Sequence, residues 1–351
     1  MKLKKTQELL KKKLEAQDFD TYAICVCKDG DKASLFSANA DSDTYFDIAS
    51  MGKVLVTSTL VLHAVSEKIL SLDDTLDMFF KNIAQDRKKI TVKHLLTHTS
   101  GIVRYDIPKA AASKGSDAVA DFIISSPLAF EPGTKNQYSC NGMILLGYIL
   151  EKLYKMPLEK IFEEKLKRPL GYTRSKFNIA LDEPNAAVCY RSENVDGLAH
   201  PWDDENISIL QTSAGSGGQF FTLGDIIKFA DAVMAESEAL YSKELFDMAE
   251  QNYVDDDCDE GRGLGWFYVT DNYFQRADLF PIGSFGHTGY TGSSMFFNRE
   301  KNMYVIMLTN ATRFSSMKTD FKYPDYDGDT CRIRVELHNA IYEDLCDDGL
   351  L

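Results

Sequence analysis

The chain has 351 residues, 44% hydrophobic and 26% charged, which is ordinary for a globular protein with a large core and room for two subdomains. Its 53 acidic residues outnumber 39 basic ones, and the net charge of -14 disfavours nucleic acid or an anionic membrane as the main partner. Neutral or cationic small molecules remain open as ligands.

The first residues are basic, but Leu9, Leu10 and Leu14 are interleaved with lysines and a glutamate. We therefore expect an amphipathic helix and no secretory signal. The most apolar stretch, residues 54–65, contains polar residues and is too short to cross a bilayer. Seven cysteines, an odd number without a CxxC pair, fit reduced thiols, so we expect a cytoplasmic protein.

Two hairpins are predicted near the chain ends. In residues 22–28, Ile24 and Val26 alternate with two cysteines, and Asp29-Gly30-Asp31 predicts a turn before residues 33–37. Residues 293–297 and 303–308 are rich in aromatic and branched side chains and predict the second hairpin.

The remaining pattern indicates helices. Apolar residues recur at helical intervals over residues 332–345, which predicts a terminal helix packed on the sheet. The predicted fold class is α+β, with a discontinuous sheet domain of residues 1–75 and 236–351. A mainly helical domain with long loops, residues 76–235, is inserted between them.

Ser50-Met51-Gly52-Lys53 is the most informative motif, because an extended segment (residues 44–48) gives way there to the apolar run 54–65. If a helix begins at about Ser50, the three-residue spacing brings the lysine amine within reach of the serine hydroxyl. Burial favours the neutral amine, which can accept the serine proton, and backbone N–H groups at the helix start can face an oxyanion. The motif predicts a serine nucleophile with its own base.

Ser315-Ser316-Met317-Lys318 has the same spacing, so the four-residue pattern alone is weak. No apolar periodicity follows this second copy. We interpret it as accidental.

A loop tyrosine, Tyr138, stands after Glu131-Pro132-Gly133-Thr134 and just before an apolar helix predicted for residues 143–153. A phenol can relay a proton between the serine oxygen and a leaving group if a nearby cation, here Lys53, lowers its pKa. A tyrosine that packs its ring and caps a turn is the commoner alternative.

Two glycine-rich segments are further candidates. Phe285-Gly286-His287-Thr288-Gly289-Tyr290-Thr291-Gly292 precedes a strand, and its glycines let a ligand approach the backbone. The alternative is a tight turn with a buried, hydrogen-bonded histidine. Ser213-Ala214-Gly215-Ser216-Gly217-Gly218-Gln219 lacks the ending of a phosphate loop, and we interpret it as a close-packed loop under the pocket.

Two patterns suggest metals only weakly. His94 and His98 are spaced as in a zinc-binding helix, but the glutamate that would activate water is missing. The acidic run 255–260 lacks the alternating ligands and the glycine of a calcium loop. We expect no metal and no organic cofactor.

Together these motifs resemble the serine beta-lactamase and penicillin-binding-protein superfamily, in particular its branch of class C-like esterases and D-aminopeptidases, over about residues 46–309. The motifs that carry the resemblance are Ser50-Met51-Gly52-Lys53, Leu72-Asp73-Asp74, His94-Leu95-Leu96-Thr97-His98-Thr99-Ser100-Gly101, Glu131-Pro132-Gly133 through Tyr138-Ser139, Gly217-Gly218 with Leu223-Gly224-Asp225, and His287-Thr288-Gly289. The resemblance implies a beta-lactamase/transpeptidase-like fold, with an antiparallel sheet flanked by helices and the site between sheet and helical domain.

The resemblance also implies roles for particular residues. Ser50 is the nucleophile, Lys53 its base and Tyr138 the proton relay. The backbone N–H groups of Ser50 and Tyr290 form the oxyanion hole. The remaining residues implied to border the substrate are His287, Thr288, Gly289 and Cys140.

Two positions depart from the family pattern. Cys140 replaces the asparagine of the usual Tyr-x-Asn motif, so the amide that would bind an acylamino group is missing unless Asn141 substitutes. His287 replaces a lysine, and a largely neutral imidazole attracts a carboxylate much less than an ammonium does.

We therefore expect a serine hydrolase with an acyl-enzyme on Ser50. Carboxyl esters of small molecules are the first expectation, and amides, D-amino-acid peptides or beta-lactams are the runner-up. A non-catalytic ligand-binding homologue is the rival from another class. No motif encodes the shape of the loops that would form the substrate pocket, such as residues 104–116 and 194–208, so the sequence does not name the substrate. It does not give the oligomeric state either.

Overall fold

The structure, a computed structural model, describes residues 1–81, 83–103, 105–177, 179–180, 183–189, 214–254, 260–273, 277–312 and 329–351. The strands within these residues are β1 (Tyr22–Lys28), β2 (Asp31–Phe36), β3 (Phe46–Asp47), β4 (Lys176–Phe177), β5 (Gln219–Phe221), β6 (Gly261–Arg262), β7 (Phe267–Tyr268), β8 (Phe285–Thr288), β9 (Ser294–Asn298) and β10 (Met303–Thr309).

The main sheet is antiparallel, with the order β2-β1-β10-β9-β8-β7-β6. Strands from the two ends of the chain meet at its centre, where β1 pairs with β10 from Tyr22 opposite Thr309 to Lys28 opposite Met303. The two predicted hairpins, β1 with β2 and β9 with β10, are confirmed.

The α-helices in the described part of the chain are α1 (Lys4–Glu15), α2 (Thr59–Ser66), α3 (Val92–Leu96), α4 (Lys109–Ala112), α5 (Ser116–Ser125), α6 (Cys140–Tyr154), α7 (Leu158–Phe162), α8 (Leu223–Met234), α9 (Glu244–Glu250) and α10 (Asp329–Asp347). The α+β class and the two terminal helices are therefore confirmed. The helix that begins at Leu158 is α-helical only to Phe162 and continues as a π-helical segment, Glu163–Lys167.

The terminal helices cover one face of the sheet. Ile24 and Val26 of β1 point into a core shared with Ile333 and Leu337 of α10. On α10, Asp344 accepts hydrogen bonds from Thr6 N and Oγ1, at 2.9 and 2.7 Å. A carboxylate at the start of α1 interacts favourably with the positive end of the helix dipole, so the two terminal helices stabilise each other.

The opposite face of the sheet packs against the helical region. Cys25 and Cys27, which alternate with the residues above, belong to this larger core. At its centre lies Ala49–Ser66, which is long and apolar enough to pass as a membrane span by composition, but 78% of it is buried inside the fold. It is a core helix that carries the Ser50 motif on its first turn.

A small sheet, in the order β3-β5-β4, links the segment before Ser50 to later parts of the chain. Helix α8 follows β5 and packs against β1 and β10 of the main sheet. The domain boundaries at residues 75/76 and 235/236 stay a prediction. The second boundary assigns α8 to the helical domain, although α8 packs against the main sheet.

Candidate active site

Ser50 lies on a sharp turn between β3 and the buried core helix. Ala49, just before it, has a φ of 44°, in the left-handed region that a residue with a Cβ seldom adopts. A hydrogen bond of 2.8 Å from Ala49 N to Asp47 Oδ1 holds this conformation. The turn leaves the Ser50 side chain partly exposed at the start of an otherwise buried helix.

Lys53 approaches Ser50 from within the fold. The side chain is only 1% exposed, and its Nζ lies 2.9 Å from Ser50 Oγ and 2.8 Å from the carbonyl oxygen of Ser216. The helix begins as a 3-10 turn at Ala49–Met51 and is π-helical over Lys53–Ser58 before it becomes α2. The predicted contact between the two side chains is present, in a helix of a less common type.

The glycine-rich loop beside β5 supports Lys53. A Cβ on Gly215 would come within 2.1 Å of the Met143 carbonyl oxygen in α6, so only glycine allows this approach. The Gly215 carbonyl also accepts a hydrogen bond of 2.6 Å from Thr57 Oγ1. Because this loop supplies the Ser216 carbonyl to Lys53, its described part, from residue 214, lies under the pocket as interpreted from the sequence.

Tyr138 stands on the loop before α6, and His98 holds the backbone on both sides of it. The His98 carbonyl accepts from Gln137 N at 3.0 Å, and His98 Nδ1 accepts from Ser139 N at 3.2 Å. The two rings lie 4.7 Å apart between centroids. Burial lowers the pKa of His98 well below its ordinary value, so the imidazole is neutral and Nδ1 stays an acceptor.

The charge environment of Tyr138 differs from the expectation. Lys53 Nζ lies 5.1 Å from the ring centroid, but burial raises the pKa of Tyr138 well above its ordinary value. Proximity to Cys140 raises this pKa as well, whereas a hydrogen bond with Ser50 and the charge of Arg262 lower it. The predicted net lowering by Lys53 is wrong, because desolvation outweighs the cations, and the resting phenol is neutral.

The end of β8 lies against the segment before Ser50. A Cβ on Gly289 would lie 2.6 Å from the Ile48 carbonyl oxygen, and Thr291 Oγ1 donates to the Asp47 carbonyl at 2.9 Å. These contacts bring the backbone of Tyr290 beside the Ser50 turn. The geometry suits the oxyanion hole predicted from the N–H groups of Ser50 and Tyr290.

His287 and Thr288, at the end of β8, differ in exposure. His287 is 1% exposed, stacks on Phe267 with centroids 4.3 Å apart, and its Nδ1 lies 2.7 Å from the Thr288 carbonyl oxygen. Thr288 is partly exposed. Burial lowers the pKa of His287 well below its ordinary value, so this position carries no charge that could attract a carboxylate.

Cys140 is the first residue of α6 and is 6% exposed. The following Asn141 is fully buried, and its Nδ2 donates to the Tyr105 carbonyl at 3.2 Å. Asn141 Nδ2 therefore stabilises the loop before α4, while its Oδ1 is buried and has no hydrogen-bond partner among the described residues.

The two motif histidines do not form a helical pair. Helix α3 ends at Leu96, ahead of His98, and His94 Nδ1 accepts from Thr91 N at 3.2 Å in a capping box. Within the described ranges, no cluster of three or more His, Cys, Asp or Glu side chains could hold a metal.

Asp225, from the Leu223-Gly224-Asp225 motif, has a structural role. It is fully buried and accepts hydrogen bonds from the backbone N–H groups of Thr173, Arg174 and Ser175. Burial alone would raise the pKa of this carboxyl, but these hydrogen bonds leave it lowered.

Arg262 is the site residue that the sequence analysis missed. Its guanidinium lies 5.4 Å from the Tyr138 ring centroid. The available signal was an arginine within Gly261-Arg262-Gly263-Leu264-Gly265, since closely spaced glycines indicate tight backbone packing. A Cβ on Gly263 would lie 2.2 Å from the Ala249 carbonyl oxygen.

Three sequence interpretations lie outside the described residues. These are the second serine-lysine motif at 315–318, the acidic run apart from Glu260, and the loop 194–208. What the structure does bring together is a partly exposed serine, a buried lysine amine and a tyrosine. This set can attack a carbonyl and move the serine proton.

The comparisons with known proteins agree with this geometry. A family model described as Beta-lactamase matches residues 6–324. A protein of Escherichia coli O157:H7 named "Putative D-alanyl-D-alanine carboxypeptidase" is 26% identical over 318 residues, which cover 80% of this chain and 72% of that protein.

Two solved structures share the fold. "Beta-Lactamase/D-Alanine Carboxypeptidase from Pseudomonas syringae" has a TM-score of 0.76 at 19% identity and covers 98% of this chain and 99% of its own. "EstCE1, a hydrolase with promiscuous acyltransferase activity" has a TM-score of 0.74 at 18% identity, with 97% and 98% covered. The family model and the fold together establish that this chain belongs to the beta-lactamase family, within the superfamily of serine beta-lactamases and penicillin-binding proteins.

Proposed function

We propose that this member of the family forms an acyl-enzyme on Ser50 and hydrolyses carboxyl esters of small molecules. The observation that carries the proposal is the 2.9 Å contact between Ser50 Oγ and a lysine amine that is 1% exposed. Such a contact activates an otherwise weak nucleophile. Its position beside Tyr138 and the end of β8 supplies the other groups that acyl transfer requires.

The proposed reaction proceeds in two halves. Ser50 Oγ attacks the substrate carbonyl while the Lys53 amine takes its proton. The oxyanion is stabilised by the N–H groups of Ser50 and Tyr290. Tyr138 donates its proton to the leaving oxygen and regains one from Lys53, so the bond to the leaving group breaks and an acyl ester remains on Ser50. Water then repeats these steps and releases the acid.

The preference for esters rests on two side chains. The position that would recognise an acylamino group holds Cys140, and the Nδ2 donor of the neighbouring Asn141 is bonded to the Tyr105 carbonyl. His287 is neutral and buried, so it supplies no cation for a substrate carboxylate. Small esters need neither interaction.

Two other functions remain as rivals. The name of the Escherichia coli relative supports a peptidase that acts on D-amino-acid peptides. A non-catalytic ligand-binding homologue is the rival from another class. Retention of all three groups, Ser50, Lys53 and Tyr138, argues against loss of turnover.

The nucleophile is tested by labelling with a fluorophosphonate and mapping the adduct by mass spectrometry. We expect one adduct, on Ser50, and none in Ser50→Ala. Ser315→Ala is the matched control, because it changes the serine of the second motif, and it should label at the wild-type rate. An adduct on Ser315, or undiminished labelling of Ser50→Ala, would overturn the assignment.

The substrate class is tested by steady-state kinetics on three sets of compounds: nitrophenyl acetate and butyrate, penicillins and cephalosporins, and D-alanyl-D-alanine peptides. We expect measurable turnover of the short esters and poor turnover of the other two sets. Efficient release of D-alanine with negligible ester hydrolysis would favour the peptidase, and labelling without any turnover would favour the binding homologue.

We also propose a cytoplasmic location. Among the described cysteines, Cys25, Cys27, Cys140 and Cys346 are free thiols. Free thiols fit a reducing compartment. Fractionation of cells that produce the protein at native level would test the location, and recovery outside the cytoplasm would contradict it.

A further inference from the structure

A buried arginine faces the proton relay from the edge of the main sheet. Arg262, on β6, is 2% exposed. Its guanidinium carbon lies 4.3 Å from the ring centroid of Phe267, its partner on β7, and 5.4 Å from that of Tyr138. Stacking of a desolvated guanidinium on aromatic rings is favourable and restricts how the rings can turn.

Contacts of the Arg262 side chain and backbone, and of its partner Glu260, hold the arginine in this place. It forms an ion pair with the carboxylate of Glu260, and Arg262 N donates to Asn252 Oδ1 at 3.0 Å. Asn136, on the loop of Tyr138, donates from Nδ2 to the Glu260 carbonyl at 3.0 Å. The arginine and the tyrosine loop are therefore coupled through Glu260 as well as through the rings.

Arg262 does not itself offer an anion site. Its partner carboxylate already faces the guanidinium, and both rings cover it. Its Nε is buried and has no hydrogen-bond partner among the described residues, which is costly for a charged group. A buried cation kept at such a cost beside a proton-transfer residue needs an explanation beyond its ion pair.

Several charged or titratable side chains face Tyr138: Lys53, Arg262, Glu260, His98, His287 and Cys140. The two histidines are neutral because burial lowers their pKa values. Among the described residues, two cationic side chains remain, Lys53 toward the nucleophile and Arg262 on the sheet side. Of these two, only Lys53 loses and gains protons in the proposed reaction, so the field of Arg262 is constant.

We propose that Arg262 is a positioning residue for Tyr138: it fixes the phenol ring beside Ser50 and stabilises the negative charge that the phenol oxygen acquires when it gives its proton to the leaving group. The inference rests on the proposed function. Arg262 itself gains and loses no proton. The phenol oxygen releases one proton to the leaving oxygen and recovers one from Lys53.

The test measures kcat/KM for ethyl butyrate, which reports the rate of Ser50 acylation and does not depend on the physiological substrate. Its alkoxide leaving group needs the proton that Tyr138 gives. Arg262→Met is combined with Glu260→Gln, because removal of one partner alone would leave a buried charge uncompensated. The pair is made in the wild-type background and in Tyr138→Phe. Glu250→Gln with Arg299→Met is the matched control, since Arg299 also pairs with a glutamate and lies over aromatic rings, at 5.8 Å from the Phe285 centroid.

We expect the Glu260/Arg262 replacement to lower the rate roughly tenfold in the wild-type background, as a shift of about one pKa unit at the relay would do. In Tyr138→Phe the same replacement should change the rate less than about twofold, because the group through which Arg262 acts is gone. The Glu250/Arg299 control should lower the melting temperature and leave the rate unchanged. If the replacement lowered the rate equally in both backgrounds, Arg262 would have a structural role only, and the inference would be overturned.

A comparison of single variants gives a second decision if the double replacement does not fold. The acylation rate should fall roughly tenfold in Arg262→Gln, which loses the charge, and change less than about twofold in Arg262→Lys, which keeps it. Equal rates for the two variants would overturn the inference alone. A wild-type chain that is not labelled at Ser50 would instead overturn the proposed function, and this inference with it.

Discussion

At the scale of single residues, Lys53 is the side chain on which the proposed chemistry depends most. Buried lysines are rare unless they are bonded, and this one spans the nucleophile and the Ser216 carbonyl. Both contacts belong to the site, and neither is an ion pair. The position is therefore built for proton transfer more than for stability.

Lys53→Met keeps the length and apolar stem of the side chain and removes the amine. We expect a folded protein in which nitrophenyl-ester turnover falls about 10²- to 10⁴-fold, because Ser50 loses its base. Lys13→Met, at a remote lysine that is 5% exposed, should lower stability and leave turnover unchanged. Near-normal turnover in Lys53→Met would move the base elsewhere, with Tyr138 the next candidate.

Cys140 is the residue through which substrate preference can be tested. Cys140→Asn should restore the family's amide, which adds a strong donor and acceptor beside Tyr138. We expect the ratio of kcat/KM for an acyl-D-amino-acid amide to that for a plain ester to rise by about 1 kcal/mol in differential transition-state binding. Both kcat/KM values and the melting temperature are measured on the same variant. An unchanged ratio with a lowered melting temperature would show that residue 140 faces the protein interior.

At the scale of elements, the site depends on the contact between the end of β8 and the turn before Ser50. Gly289 makes this contact possible, because any Cβ there would press on the Ile48 carbonyl oxygen at 2.6 Å. The neighbour is backbone, so it cannot yield without moving the turn. The Tyr290 N–H follows directly and would be displaced.

Gly289→Ala should therefore lower kcat for a nitrophenyl ester roughly 10²-fold, as loss of an oxyanion donor does, with a stability loss of about 1 to 3 kcal/mol from overpacking. Gly142→Ala, in helix α6, is the control. Its Cβ would lie 3.6 Å from the Leu95 side chain, an ordinary van der Waals distance. It should retain activity and gain some stability. An active Gly289→Ala would remove the Tyr290 N–H from the oxyanion hole.

Elements whose signal is local were predictable. The hairpin β1-β2 follows from alternation around the Asp29-Gly30-Asp31 turn, and helix α10 from its apolar period. The π-helical turn at Lys53–Ser58 was not, because only tertiary contacts such as that of Thr57 with the Gly215 carbonyl distinguish it from an α-helix.

The same division holds for the site. Ser50 and Lys53 are three residues apart, so their contact could be derived from helical spacing. His98 and Arg262 contact Tyr138 only because the folded chain brings distant segments together. No spacing in the sequence indicates these contacts. The direction of the Tyr138 pKa depends on how deeply the ring is buried, which composition and motifs do not give.

At the scale of the whole molecule, neutral histidines that are wholly or partly buried link stability to pH. Burial lowers the pKa values of His94, His98 and His287, and that of His338 to about 3. In the unfolded chain these groups take up protons near their ordinary pKa of about 6.5, so the unfolded state binds more protons below that pH. The resulting stability is fully present above about pH 6.5 and is lost as pH falls below it.

His338 offers the sharpest test of this linkage, because it lies on α10 away from the proposed site. Its ring packs edge-on against Phe280 and Phe296, and its Nε2 has no partner in the described part of the chain. His338→Phe keeps the apolar packing and removes the titration. The free energy of unfolding, measured with urea, should then fall between about pH 7.5 and about pH 5 by about 2 kcal/mol less than in the wild type. Asn339→Ala, an uncharged neighbour on the same helix, should keep the wild-type pH dependence, and an equal fall in His338→Phe and the wild type would mean that His338 is protonated in the folded protein.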